Sequence, residues 1–359
     1  MEFISQMEPD YGNEEKQAVS NYLDSGGFIT EFKKTRELEQ MIADYTGVKY
    51  CSIVHNGTVT MFLSLKALNV VYGDEVIVPD YTMVATANAV VLCGATPIFV
   101  DIEEDSLCLN PELLKNAITP KTKAVIFVSI NGRAGRLAEV KKICDEHQLP
   151  LIEDAAQSLG SKYQGKHLGT YGIAGSLSFS MPKIITMGQG GAVITDNQEV
   201  YERVLKLKDF GRKGSGGDFY ETMGWNFKFT DLQAVFGIEQ FKKLDGRVSR
   251  KKEMWRLYAE GFKDIKEVRF IQENLEETTP WFIEIFAPNP GKLQLYLKEN
   301  NIGSRPIYPA LHRQPVYNLK GSFPVAEKVA KQGLWLPSSL KLTDEQIEYI
   351  CQKIKEFYG

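Results

Sequence analysis

The chain has 359 residues, 43% of them hydrophobic and 25% charged, an ordinary globular composition with apolar material for a large core. A net charge of −4 argues against a nucleic-acid partner or a polybasic membrane role, and no apolar run reaches transmembrane length. The opening Met1-Glu2-Phe3-Ile4-Ser5 lacks a basic segment followed by an apolar core, so no signal peptide is expected. The five cysteines (Cys51, Cys93, Cys108, Cys144, Cys351) are scattered singly without a CxxC pair. That pattern argues against zinc and disulfide frameworks, predicts core thiols at four of the positions, and fits a reducing cytoplasm.

In chain order, the first 45 residues read as helical, broken at Gly26-Gly27. From about 50 to 195 the pattern is strand, turn, helix, repeated. Residues 51–54 form a short apolar strand, and Gly57-Thr58 opens a helix to about Leu68. A strand at 75–78 precedes a helix from about Thr82 to Leu92. Strands at 97–100 and 124–129 follow, then a helix from about Leu137 to His147. The strand 149–152 ends in Glu153-Asp154, and strands at 176–180 and 192–195 complete the set. Short apolar runs alternating with amphipathic helices imply an α/β fold with a largely parallel sheet covered on both faces. Ligands in such sheets collect at the carboxyl ends of strands. The segment Gly211-Arg212-Lys213-Gly214-Ser215-Gly216-Gly217 is the most flexible-looking, and its composition fits a mobile substrate loop and a surface connection equally. A long helix is expected from about Thr230 into the Arg250 region. After about 260 the character changes: a strand at 281–286, a helix at 293–299 and a final amphipathic helix at 343–357. The expected division is a large domain over 1–245 and a small α+β domain over 246–359.

Four features point to one site. Lys183 stands in Ser178-Phe179-Ser180-Met181-Pro182-Lys183, just before Gly188-Gln189-Gly190-Gly191. Burial there disfavours the ammonium and exposes a nucleophilic amine able to form a Schiff base with an aldehyde cofactor. Taken alone, a lysine whose stem covers apolar surface is the better reading. Asp154 ends a buried parallel strand on the ligand side, where a carboxylate can pair with a protonated pyridine nitrogen; a helix N-cap explains it equally well. Glu153 beside it reads as structural. In His55-Asn56-Gly57-Thr58-Val59-Thr60, backbone N–H groups at a helix start and a hydroxyl can hold a phosphate, with Ser178 able to add another hydroxyl. An ordinary strand–helix turn is the plainer account. In Gly224-Trp225-Asn226-Phe227-Lys228-Phe229-Thr230-Asp231-Leu232-Gln233, Thr230 is a good N-cap. Asn226, polar among aromatics, wants a partner in its own chain or a neighbour's, or is simply a turn former.

Together, in order and spacing, these segments resemble the sugar aminotransferases of the DegT/DnrJ/EryC1/StrS family, pyridoxal-phosphate enzymes of the aspartate aminotransferase fold. The resemblance runs from Gly27-Phe28-Ile29-Thr30 to Arg305-Pro306-Ile307-Tyr308-Pro309-Ala310-Leu311-His312-Arg313-Gln314-Pro315. Its most specific pieces are Glu153-Asp154-Ala155-Ala156-Gln157-Ser158-Leu159-Gly160, the segment from Ser178 to Lys183, and the segment from Asn226 to Gln233. It implies that Lys183 is the Schiff-base lysine, that Asp154 partners the pyridine nitrogen and that Gln157 contacts the phenolic oxygen. Gly57, Thr58 and Ser178 would hold the phosphate. Asn226 would reach the phosphate of a neighbouring subunit, implying a homodimer with shared sites. Arg305, Tyr308 and His312 fall near the family's sugar-nucleotide pocket. Met83 stands where the family usually stacks an aromatic residue on the ring, and a methionine sulfur can still cover one. Gln189 replaces a common acid, and Ser129-Ile130-Asn131-Gly132-Arg133 replaces a stretch that often begins with histidine. These departures bear on the substrate and fine geometry, not on the cofactor.

The implied activity is a ping-pong transamination with glutamate as donor, Lys183 as general base and acid, and a nucleotide-linked 4-keto-6-deoxy hexose as acceptor. The stretch around Arg305 is most similar to that of the perosamine-forming members, which act on a GDP-sugar. Three rivals stand beside it. Sugar dehydratases on the same fold carry histidine where Lys183 stands. A non-catalytic pyridoxal-phosphate-binding protein is opposed by Lys183, Asp154 and Gln157 together. A nucleotide-binding oxidoreductase is opposed by the lack of GxGxxG after the first strand.

Overall fold

The computed structural model describes every residue except Met1, Ser215, Gly216 and Asn318. The centre of the glycine-rich segment at 211–217 therefore lies outside the described residues. In chain order the elements are α1 (Asn13–Asp24), α2 (Lys33–Thr46), β1 (Tyr50–Val54), α3 (Gly57–Ala67), β2 (Glu75–Pro79), α4 (Ala85–Leu92), β3 (Thr96–Val100), α5 (Pro111–Ala117), β4 (Thr122–Val128), α6 (Leu137–Glu146), β5 (Leu151–Asp154), the hairpin β6 (Lys162–Tyr163) and β7 (Lys166–His167), β8 (Ala174–Ser178), β9 (Gly191–Thr195) and α7 (Gln198–Lys208). The rest comprises α8 (Asp231–Lys242), α9 (Leu244–Phe262), β10 (Glu284–Phe286), α10 (Pro290–Glu299), β11 (Arg305–Pro306), α11 (Pro324–Gln332), β12 (Gly333–Trp335) and α12 (Asp344–Tyr358).

Seven strands form the main sheet in the order β1-β9-β8-β5-β4-β2-β3. The four pairings from β8 to β3 are parallel, while β9 runs antiparallel to both β8 and β1. The middle strands are apolar on both faces because helices cover both: Val76, Ile77, Val78, Ile126, Phe127 and Ile152 are buried. The expected largely parallel sheet is present, and the crossover helices carry local start signals. Asn56 caps α3 by accepting from Val59 N, and Asn197 caps α7 by accepting from Val200 N. Asn110 caps α5, with Pro111 in its first turn.

Several boundaries differ from expectation. The helix expected from Thr82 starts at Ala85, so Thr82 and Met83 stay in the loop that borders the cavity described below. Of the strand expected at 281–286, only Glu284–Phe286 pairs. The helix expected from Thr230 into the Arg250 region is two helices, α8 and α9, meeting at Lys243. Three helices, α5, α7 and α11, went unmarked by the apolar pattern.

The second sheet is antiparallel, in the order β10-β12-β11. Its core joins α9, α10 and α12 through Met254, Tyr258, Leu293, Leu297, Ile347 and Ile350, and Ile4 from the chain start packs into the same cluster. The other face contributes Phe286, Ile307 and Trp335 to the core of the main sheet. Residues 277–283 run as a strap against the segments that follow the central strands β4 and β5. Thr279 N donates to Ser161 Oγ at 2.9 Å, and the Asn131 side-chain amide bonds Phe282 twice, at 2.9 and 2.7 Å. All five cysteines are buried and free, so each packs as a small apolar side chain.

Candidate active site

The carboxyl ends of β5 and β8, the start of α3 and the loop after β2 enclose a cavity of about 650 Å³. Parallel strands converge their carboxyl ends here, so side chains distant in sequence meet. Seven of the expected site residues line it: Gly57, Thr58, Met83, Asp154, Gln157, Ser178 and Lys183.

Lys183 lies in the loop between β8 and β9. That loop is closed by Phe179 N donating to Gly190 O at 2.8 Å and Met187 N donating to Phe179 O at 2.9 Å. Lys183 itself sits in a turn, its N–H donating to Ser180 O at 3.0 Å. The amine lies 3.9 Å from the centre of the Trp281 ring. Burial of the ammonium lowers the Lys183 pKa to about 8, with the Asp154 carboxylate opposing that shift. A lysine near neutrality can act as base and acid at ordinary pH.

Asp154 ends β5. Its Oδ2 accepts from Thr86 Oγ1 at 2.7 Å and its Oδ1 from Ala156 N at 3.2 Å. Burial raises its pKa, against the Thr86 bond, the Ala156 N–H and the Lys183 charge. No helix begins at Asp154, since the chain goes on through turns to β6, so the N-cap reading does not hold. Glu153 points the other way and is structural: it accepts from Gly169 N at 2.8 Å, Tyr171 N at 2.5 Å and Gly172 N at 2.7 Å. Gln157 Oε1 accepts from Asn131 N at 2.7 Å, which fixes the amide at the cavity wall.

The start of α3, with the serines beside it, could cradle an anion. The first N–H groups of α3 have no carbonyl within their own helix, and the helix start carries partial positive charge. Ser178 and Ser180 add hydroxyls, 3.3 Å apart. Gly57 leaves this space open: a Cβ there would come 3.0 Å from Ser178 Cβ. A phosphate donor set, a buried carboxylate and a buried amine on one cavity fit pyridoxal phosphate. Met83 borders the cavity at 44% exposure, its sulfur accepting from Ala85 N at 3.0 Å.

Four expected residues do not line the cavity. Asn226 is exposed and bridges to Asp209. Arg305 is exposed, its guanidinium 4.7 Å over the Trp335 ring. Tyr308 packs edge-on against Trp335 with centroids 4.7 Å apart; burial raises its hydroxyl pKa, Arg305 opposes, and the Asp154 charge adds to the rise. His312 also lies away from the cavity lining. It is buried, with Nδ1 2.6 Å from Asp80 Oδ2 and Nε2 3.2 Å from Glu327 Oε1, so both ring nitrogens are already engaged. Conversely, Thr86 and Trp281 support the site with no local signal beyond residue type, and Asn131 does so from the stretch that departs from the family pattern.

The chain matches the model of the DegT/DnrJ/EryC1/StrS aminotransferase family over residues 9–355. It is 33% identical to the GDP-perosamine synthase of Escherichia coli O157:H7, over 100% of both chains. It is also 33% identical to the GDP-perosamine synthase of Vibrio cholerae, over 98% of both. Among solved structures it is similar to the aminotransferase TlmJ from Streptoalloteichus hindustanus, with a TM-score of 0.94 and 28% identity over 99% of this chain and 98% of that one.

Proposed function

The chain belongs to the DegT/DnrJ/EryC1/StrS aminotransferase family and is a transaminase whose cofactor is pyridoxal phosphate, and on that premise we propose that it moves an amino group from glutamate to a nucleotide-linked 4-keto-6-deoxy hexose. The observation that carries the reading is the pairing of a Lys183 amine near neutrality with a buried, oriented Asp154 on one cavity wall. The GDP-perosamine synthases among its relatives support a GDP-sugar.

When bound, pyridoxal phosphate supplies a ring that withdraws electrons from a neighbouring carbon. The residues of this chain do the rest. Gly57 and Thr58 N–H groups with Ser178 Oγ would bind the phosphate. Asp154, aimed by Thr86, would hold the proton on the ring nitrogen, and that positive charge offsets the cost of the buried carboxylate. Gln157, fixed by Asn131, would meet the phenolic oxygen. Lys183 would anchor the cofactor covalently and, once released, carry a proton between the donor's α-carbon and the ring system through Nζ. General acid–base work of this kind contributes about 10²–10⁴-fold. Arg305 and Tyr308 would meet the sugar nucleotide from the C-terminal sheet. Asn226, exposed in its own chain, would complete the phosphate site of a second copy, which makes the working unit a homodimer.

The test is a screen of keto-sugar nucleotides with glutamate, the amino-sugar product read by mass, alongside Lys183→Ala. The variant is expected to lose both the visible absorbance of the anchored cofactor and turnover. Wild-type turnover in Lys183→Ala would sink the assignment of the lysine. Turnover with another amino donor but none with glutamate would remove the donor from the proposal.

A further inference from the structure

Trp281 belongs to the strap at 277–283 and is 4% exposed. Its ring centre lies 3.9 Å from Lys183 Nζ, and its Nε1 donates to Pro182 O at 2.7 Å. One side chain thus touches the amine and the backbone carbonyl just before it. The indole is itself held from behind. The Trp281 carbonyl accepts from the buried Lys251 Nζ at 2.8 Å, and Asn131 clamps the next residue on both its N–H and its carbonyl. An aromatic face attracts a cation electrostatically, and more strongly where water is sparse.

We propose that Trp281 is a positioning residue for Lys183: its face holds the amine at the cavity wall while its N–H fixes the turn that carries the lysine, tying the strap before the C-terminal sheet to the reacting centre. The proposal deepens the reading of Lys183 as covalent anchor and rests on it. It goes beyond packing because the indole face favours the charged amine, whereas burial favours the neutral one.

The charges around Lys183 are few. Asp154, at the end of β5, acts on the amine directly. Asp154 and Lys183 are the only ionisable side chains lining the cavity among the described residues. Lys251, on α9, lies behind Trp281 and bonds its carbonyl, and the Asp154 charge also acts on Tyr308. Removing the indole face therefore leaves burial less opposed, and the amine should lose its proton at lower pH.

The experiment uses the full-length chain freed of cofactor. Lys183 is labelled with acetic anhydride across a pH series, and its peptide is quantified by mass spectrometry. In Trp281→Leu the labelling midpoint is expected to fall by about half to one and a half pH units, the size of a cation–π contact. Trp281→Phe keeps a ring over the amine and should hold the midpoint within about half a unit of the parent. A Trp281→Leu chain that melts like the parent and keeps its midpoint overturns the proposal. Should that variant not fold, global replacement of tryptophan by increasingly fluorinated analogues decides. These weaken the ring's attraction without changing its bulk, and the midpoint should fall stepwise; a flat series overturns the proposal. Turnover enters none of these measurements, so a shifted midpoint in a chain that never transaminates would count against the functional reading alone.

Discussion

Lys183 illustrates how a buried amine costs a protein stability. Its pKa is lowered from 10.5 to about 8 in the folded chain. The sign follows from proton counts. Above pH 10.5 the amine is neutral in folded and unfolded chains, and there is no penalty. Between 10.5 and 8 the unfolded chain binds the proton and the folded chain does not, so stability falls as pH falls. Below 8 both are charged and the penalty is constant. Removing the cofactor and replacing the amine, as in Lys183→Met, should therefore stabilise the chain at pH 7 by at most about 3 kcal/mol, less in so far as water enters the cavity. Melts of the cofactor-free parent and variant should show a gap that shrinks as pH rises from 8 towards 10.5; a gap of constant size would refute this account. Asp154, Ser178 and Gly57-Thr58 were legible because each marks a strand end or a helix start, and Lys183 because it stands just before a glycine turn, all of them local signals. Thr86 and Trp281 were not, because a threonine inside a helix and a tryptophan in an extended run read as ordinary packing until the fold sets them beside Asp154 and Lys183.

At the scale of elements, the strap and the break between α8 and α9 show where local pattern stops deciding. Neither Gly nor Pro marks Lys243, and the helical pattern reads through it. The break is fixed by contacts with the chain start. Lys243 Nζ lies 2.7 Å from Glu15 Oε1, Gln240 Nε2 donates to the same oxygen at 2.7 Å, and Arg247 pairs with Asp10 at 2.9 Å. A second long-range lock is Arg133, buried after β4 and paired with Glu273 at 2.6 Å and with Glu284 of β10 at 2.5 Å. Burial still raises the Glu273 pKa to about 6, with Arg133 opposing, so the guanidinium is needed to keep two carboxylates inside. Arg133→Met should cost about 3–5 kcal/mol by leaving them uncompensated. Chemical denaturation checks this, and a loss below about 1 kcal/mol would mean the cluster rearranges freely.

At the scale of the molecule, apolar side chains stand exposed on two adjoining segments: Phe28 and Ile29 on one, Phe219 and Met223 (77% exposed) on the other. The segments are joined where Asp231 N donates to Thr30 O at 3.3 Å and Phe229 N to Glu31 Oε2 at 3.0 Å. Exposed apolar side chains on these two segments, the second of which leads into the exposed Asn226, fit the proposed homodimer with shared sites. Lys183→Ala and Asn226→Ala should each be inactive, yet mixed and reassembled they should recover about a quarter of parental activity, because half the dimers then hold one intact site of two. No recovery in differently tagged chains shown by co-purification to have exchanged would rule out a shared site. No helix among the described residues is long and apolar enough to cross a membrane. By itself the sequence determined the alternating strands and helices, the strand-end acid, the lysine before a glycine turn, and the family resemblance, since each rests on neighbours within a few positions. Only the tertiary structure decided that His312 is spent on Asp80 and Glu327, that Thr86 aims Asp154, and that Trp281 covers Lys183. Those contacts join residues far apart in the chain, and side-chain direction at such distances is set by packing rather than by local pattern.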